Sequence, residues 1–177
     1  MEREEAYKIL AKNMTKPNLL KHCLAVEAVM KHFAKLNGED VEYWGNVGLL
    51  HDVDYELYPE DHCKKFRELL QDHVDEEFIK TLESHGYGLC TDVVPEKFME
   101  KVLITIDQLT GFIIACSLVL PTKKLADVEL SSMLKKWKKK DFAAGTQRER
   151  IEHWTIELRV YFRVYVGRDI KRDAKYI

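Results

Sequence analysis

The sequence predicts an all-α fold, a helical bundle. Nearly every segment repeats its apolar residues with a 3.6-residue rhythm, and strand-like alternation is scarce. Residues that start or stop helices also fall at helix-length intervals along the chain.

The elements follow in order. Residues 2–14 form a short first helix. Residues 17–36 form a second, with Leu19, Cys23, Val26, Met30 and Phe33 on one stripe and Asn37-Gly38 as its stop. Asp40 caps a third, residues 40–51, and Pro59-Glu60 opens a fourth that runs to about Gln71. Asp75 caps a fifth over residues 76–85, which Gly86 ends. Pro95 opens a sixth, which continues through Asp107 until Pro121 stops it. Thr146-Gln147-Arg148-Glu149 reads as a capping box for a last helix through about Val166, with Ile151, Trp154, Leu158, Tyr161 and Tyr165 recurring at three- and four-residue steps.

A chain of 177 residues with 46% apolar content is long enough for one domain with a sizeable core, here residues 1–177. The most apolar stretch, residues 102–120, is interrupted by Asp107, Gln108 and Thr110 and reads as a buried helix rather than a membrane span. The charged start, Met1-Glu2-Arg3-Glu4-Glu5, lacks a signal-peptide apolar core. Cys23, Cys63, Cys90 and Cys116 show no CxxC spacing, so reduced thiols in a cytoplasmic protein are expected rather than a disulfide framework.

Charge is unevenly spread. Residues 1–120 carry a balance of −9 and residues 121–177 a balance of +7, for a net −2. The basic part includes Lys123, Lys124, Lys140 and Arg148. It reads either as a solvated face or as a rim that attracts a phosphorylated anion. Overall acidity and the lack of a recognisable nucleic-acid motif argue against nucleic acid as the partner.

The chemistry-bearing residues form a series: His22, His51-Asp52, His62, His85 and Asp107. The adjacent pair ends the apolar run Val47-Gly48-Leu49-Leu50. A carboxylate such as Asp107, inside Ile104-Thr105-Ile106, is costly to bury unless something pairs with it. A salt bridge, a hydrogen bond to a neighbouring helix end, or a divalent cation each meets that need. His22 lies at the edge of an apolar stripe, as a core histidine or a ligand does. His85 closes its helix just before Gly86-Tyr87-Gly88, where backbone bends close to a ligand. Spacings of 29, 11, 23 and 22 residues between successive histidines and Asp107 put each on a different helix or helix end. Imidazole and carboxylate together suit Fe, Mn, Co, Ni or Zn, and facing helices commonly build such sites.

The order His, His-Asp, His, His, Asp resembles the HD-domain metal-dependent phosphohydrolases over roughly residues 17–125, leaving residues 126–177 as a basic extension. The resemblance implies that His22, His51, Asp52 and Asp107 form the minimal metal site, and that His62 and His85 add the second metal of dinuclear members. The layout from Asp75 to Asp107 is similar to bacterial members acting on dinucleoside tetraphosphates. One or two divalent transition metals are thus implied as cofactors, with Asp52 bridging two of them, a metal-activated water as nucleophile and a small phosphorylated substrate, a nucleotide or related phosphate ester. Asp54 is placed to hold a ligand histidine, receive a proton or cap a helix end. Lys123, Lys124, Lys140 and Arg148 are the candidates for substrate phosphates. Arg148 suits this best, because its planar fork matches phosphate and it falls in a helix's first turn. The chain departs from some nucleotidase members, which carry a glutamate three residues after the pair; Tyr55 stands there, with Glu56 one step late. The alternative function is a non-catalytic metal or nucleotide sensor using the same pocket.

Overall fold

In the computed structural model, residues 1–158 are described. They form eight α-helices and no strand, an all-α fold. The helices are α1 (Arg3–Asn13), α2 (Pro17–Asn37), α3 (Val41–Leu50), α4 (Phe66–Leu70), α5 (Glu76–His85), α6 (Phe98–Leu118), α7 (Leu130–Trp137) and α8 (Arg148–Glu157). The chain gathers into two compact units, Met1–Ile104 and a second that begins at Thr105, so the division falls within α6.

In the first unit, α2 begins at Pro17 and ends at Gly38, whose φ of 72° is the left-handed conformation that favours glycine at a helix C-terminus. Asp40 then caps α3, accepting from the amides of Glu42 and Tyr43. Helices α2 and α3 approach closely at Gly48. A Cβ there would meet Met30 Cγ at 2.9 Å and the Glu27 backbone at 3.0 Å. Glu27, itself buried, is clamped by the Arg3 guanidinium and the Lys31 ammonium. Burial alone would raise its pKa, but these two cations hold the carboxyl below its ordinary value. Leu10, Met30, Phe33, Leu49, Phe66 and Leu82 are among the buried side chains around them.

The fourth expected helix forms differently. Pro59–Asp61 is a single 3-10 turn, and α4 starts only at Phe66. Between them His62 is non-helical and Cys63 has φ 69°, a left-handed conformation that breaks a right-handed helix. The fifth helix matches its expected bounds, with Asp75 accepting from the Phe78 amide. The sixth begins at Phe98, after a turn in which Glu100 accepts from the amides of Glu96 and Lys97. By length and composition α6 could cross a membrane, yet half of its most apolar 18-residue window is buried in the protein, as in an ordinary core helix.

The second unit has its own apolar cluster of Leu109, Phe112, Cys116, Val128, Met133 and Ile151. Helix α7, absent from the sequence reading, contributes Met133 to it. The expected capping box at Thr146 does not form. The Arg148 amide bonds the Thr146 carbonyl in a tight turn at Gln147, which delays α8 to Arg148. The expected extension of α8 through Tyr161 and Tyr165 to Val166 lies outside the described residues.

The two α3 glycines should respond differently to alanine. Gly48→Ala meets Glu27 backbone and should cost about 1–3 kcal/mol, read by urea denaturation. Gly45→Ala meets only the flexible Lys31 side chain and should stay within about 1 kcal/mol of wild type. Equal effects at both sites would show that the α2–α3 approach is not limiting.

Candidate metal centre

The His-Asp pair sits where α3 gives way to tight turns. The Val53 amide bonds the Leu50 carbonyl, and the Tyr55 amide bonds that of Asp52. These turns keep His51 and Asp52, neighbours in sequence, directed at one locus. A carboxylate anchors the segment from outside: Glu56 accepts from the Thr15 amide, the Thr15 hydroxyl and the Lys16 amide, each at 2.9 Å. Glu56 thereby fastens the two residues just ahead of α2, the helix that carries His22. The hydrogen bond from the Lys16 amide is the largest influence on its carboxyl, which is held below the ordinary range.

Asp52 is the hub. Its Oδ2 faces His51 Nε2 at 3.4 Å and His22 Nε2 at 3.8 Å. Its Oδ1 faces His62 Nε2 and His85 Nε2, both at 3.5 Å. One carboxylate therefore presents one oxygen to each of two histidine pairs. Burial would push Asp52 up, but His51 and His85 hold it well below the usual carboxylate range.

The rings of His51, His62 and His85 are held from behind. His51 Nδ1 faces the Gly48 carbonyl at 2.8 Å, and His85 Nδ1 faces the Leu82 carbonyl. A carbonyl only accepts, so these contacts assign a proton to Nδ1 and leave Nε2 facing Asp52, where it carries a proton in the charged ring and a lone pair in the neutral one. His62 Nδ1 lies 2.8 Å from Asp54 Oδ1, and Asp54 Oδ2 accepts from the Lys65 amide. Asp54 is fully buried and stands behind the His62 ring.

This donor set could hold a metal ion. The separations of 3.4–3.8 Å around Asp52 exceed ordinary hydrogen-bond lengths. Ligand atoms each ~2.1 Å from one ion, at tetrahedral or octahedral angles, lie roughly 3.0–3.4 Å apart. Asp52, His62 and His85 each offer a ligand atom, all within 4.8 Å of one another. Backing of the imidazole by carbonyl or carboxylate is the usual support of a metal-ligating histidine. The cluster is therefore a group of His and Asp side chains that could hold a metal ion.

The other expected site residues fare differently. Asp107 lies on α6, half-buried, in the second unit. Lys123, Lys124 and Lys140 are exposed. Arg148 is engaged within its own unit. Its guanidinium donates to the carbonyls of Trp137 at 2.9 Å and Lys139 at 3.1 Å, and also to that of Phe142. It also lies over the rings of Phe112 and Trp137. Arg148 staples the second unit, and its fork is engaged with backbone rather than open to phosphate. The fork that suits phosphate suits converging carbonyls equally well.

Sequence reasoning missed two features. In the sequence Glu56 stands only as a carboxylate one step late of the nucleotidase position, and nothing there links it to Thr15. Cys63 and Cys90 also come together next to the histidines, their sulphurs 2.7 Å apart, although they are widely separated in sequence and outside any CxxC spacing. The contact between the sulphurs is the main influence on both thiols, moving Cys90 down to about 6 and Cys63 upward. Comparison of the chain with family models, curated proteins and solved structures finds no match.

Two outcomes follow from the ring supports. Asp54→Asn should weaken metal binding about 10–100-fold by equilibrium dialysis, and an unchanged affinity would remove Asp54 from this role. The second concerns pH. Burial would lower the His62 pKa, but Asp54 and Asp52 outweigh it and raise the value above the ordinary 6.5. Metal needs the neutral ring, so retention should fall as pH drops through this raised value, while Asp52 stays ionised. Without metal the sign reverses: the protonated ring adds stability below the ordinary histidine value, lost as pH rises through the raised one. Metal retention that stays flat down to the carboxylate range would contradict the assignment.

Proposed function

We propose that the chain is a metal-dependent phosphohydrolase of the HD-domain type, acting on a nucleotide or a related phosphate ester. The observation that carries the reading is the division of labour at Asp52, with one oxygen toward His22 and His51 and the other toward His62 and His85. Two-metal phosphoryl chemistry calls for one bridging group between two ligand sets.

His22, His51 and Asp52 would hold one ion, and Asp52, His62 and His85 the other. Asp107 joins the first set through the order of residues in the sequence alone. Bound metal would supply Lewis acidity, easing deprotonation of water and neutralising charge on phosphoryl oxygens. The chain's own residues do the rest. The Gly48 and Leu82 carbonyls fix the tautomers of His51 and His85. Asp54 fixes His62, and the buried ionised Asp52 supplies the negative charge that favours cations. Lys123, Lys124 and Lys140 are the cations proposed for substrate phosphates, and the substrate is a small phosphorylated molecule met in the cytoplasm.

One observation favours a second reading, a metal or nucleotide sensor without turnover. Both oxygens of Asp54 are occupied by His62 and the Lys65 amide, which draws that carboxylate away from proton transfer.

Turnover separates the two. The metal-loaded chain, offered nucleoside phosphates and dinucleoside polyphosphates with Mn, Fe, Co, Ni or Zn, should release phosphate or a nucleotide. Asp52→Ala should lose bound metal and reduce turnover by at least about 10³-fold. Substrate binding without product favours the sensor. Full metal content in Asp52→Ala would place the metal elsewhere and end the hydrolase reading.

A further inference from the structure

Cys63 and Cys90 are not needed by the site described above, yet their surroundings are specific. Both sulphurs lie over Gly86, where a Cβ would sit 2.4 Å from Cys90 Sγ and 2.5 Å from Cys63 Sγ. Only glycine leaves room for the pair. Gly86 also follows His85, and its carbonyl lies 3.7 Å from Cys90 Sγ. Cys63 directly follows His62, is held at φ 69°, and places its sulphur 3.9 Å from His85 Nε2. The two thiols are unbridged and their sulphurs are 2.7 Å apart. Cys63 is buried and Cys90 is half-buried, so Cys90 is the more accessible of the two. His62, Cys63 and Cys90 also each offer a ligand atom within 4.8 Å of one another, so the sulphurs are potential donors beside a proposed metal-binding ring.

We propose that Cys63 and Cys90 are a redox-active pair, which a hydroperoxide joins into a disulfide beside His62 and His85. Cys90, the accessible member, attacks a peroxide oxygen; the O–O bond breaks, the leaving oxygen takes the thiol proton, and Cys90 becomes a sulfenic acid. The Cys63 sulphur then attacks the Cys90 sulphur; the S–O bond breaks, and the hydroxyl leaves with the Cys63 proton as water. With hydrogen peroxide, two thiols lose two electrons and the peroxide becomes two waters. A dithiol reductant reverses the link by exchange.

A consequence rests on the metal reading above. Closing the disulfide removes two sulphur donors next to His62 and draws on the backbone that aims its ring. Zinc affinity should therefore fall about tenfold on oxidation, the size expected for loss of support around a metal ligand.

The test uses the full chain. An equimolar amount of hydrogen peroxide is added, remaining thiols are alkylated, and the digest is mapped by mass spectrometry. The expected product is a cross-linked peptide joining Cys63 to Cys90, with Cys23 and Cys116 alkylated, restored to free thiols by dithiothreitol. In Cys63→Ser the same treatment should leave Cys90 as a sulfenic acid that a dimedone reagent traps. Alkylation of Cys63 and Cys90 after peroxide, or over-oxidation of Cys90 without a link, overturns the pair. Zinc titration of the reduced and oxidised forms then tests the consequence. Equal affinity in both overturns the coupling. A link that forms in a chain that takes up none of Mn, Fe, Co, Ni and Zn in either state upholds the pair and overturns the metal reading.

Discussion

A buried carboxylate ringed by imidazoles is the constraint on which the first unit is organised. Asp52 is only 14% exposed, and four histidine Nε2 atoms lie within 3.8 Å of its oxygens. A charge so placed is tolerable only if its surroundings compensate it, and here the compensation comes from four separate places in the chain. His22 arrives on α2, His51 at the end of α3, His62 from the break before α4 and His85 at the end of α5. The site exists only when those four segments are packed together, so folding and ligand assembly are one event.

The supports behind this ring are largely backbone. Gly48 serves twice, since its missing Cβ lets α3 approach α2 and its carbonyl holds His51. Glu56 fastens the turn after Asp52 to the start of the helix that bears His22. Asp54, fully buried, does for His62 what carbonyls do for His51 and His85. Such supports restrict rotamers in advance, which lowers the ordering cost of binding an ion.

Much of this was legible in the sequence because it depends on local rules. Pro17 and Gly38 bound α2, Asp40 caps α3 and Asp75 caps α5, each by chemistry confined to a few neighbouring residues. The histidine series was legible through its order and its placement at helix ends. Reasoning failed where a distant partner or an unusual dihedral decides. Pro59 promises a helix, but Cys63 adopts φ 69° beside a sulphur that comes from beyond α5. Thr146 and Glu149 have capping-box spacing, but the turn at Gln147 takes the first amide. Arg148 carries the chemistry of a phosphate ligand and is engaged by carbonyls that only the folded second unit gathers.

The proposed function requires Asp52 to separate two metal-binding halves. Elemental analysis of the freshly purified full chain beside His62→Ala tests it most directly. About two transition-metal ions per chain are expected, falling to about one in the variant while the His22 and His51 half persists. A single ion whose content His62→Ala leaves unchanged would contradict it, and so would a chain that carries no metal and takes up none when it is added back.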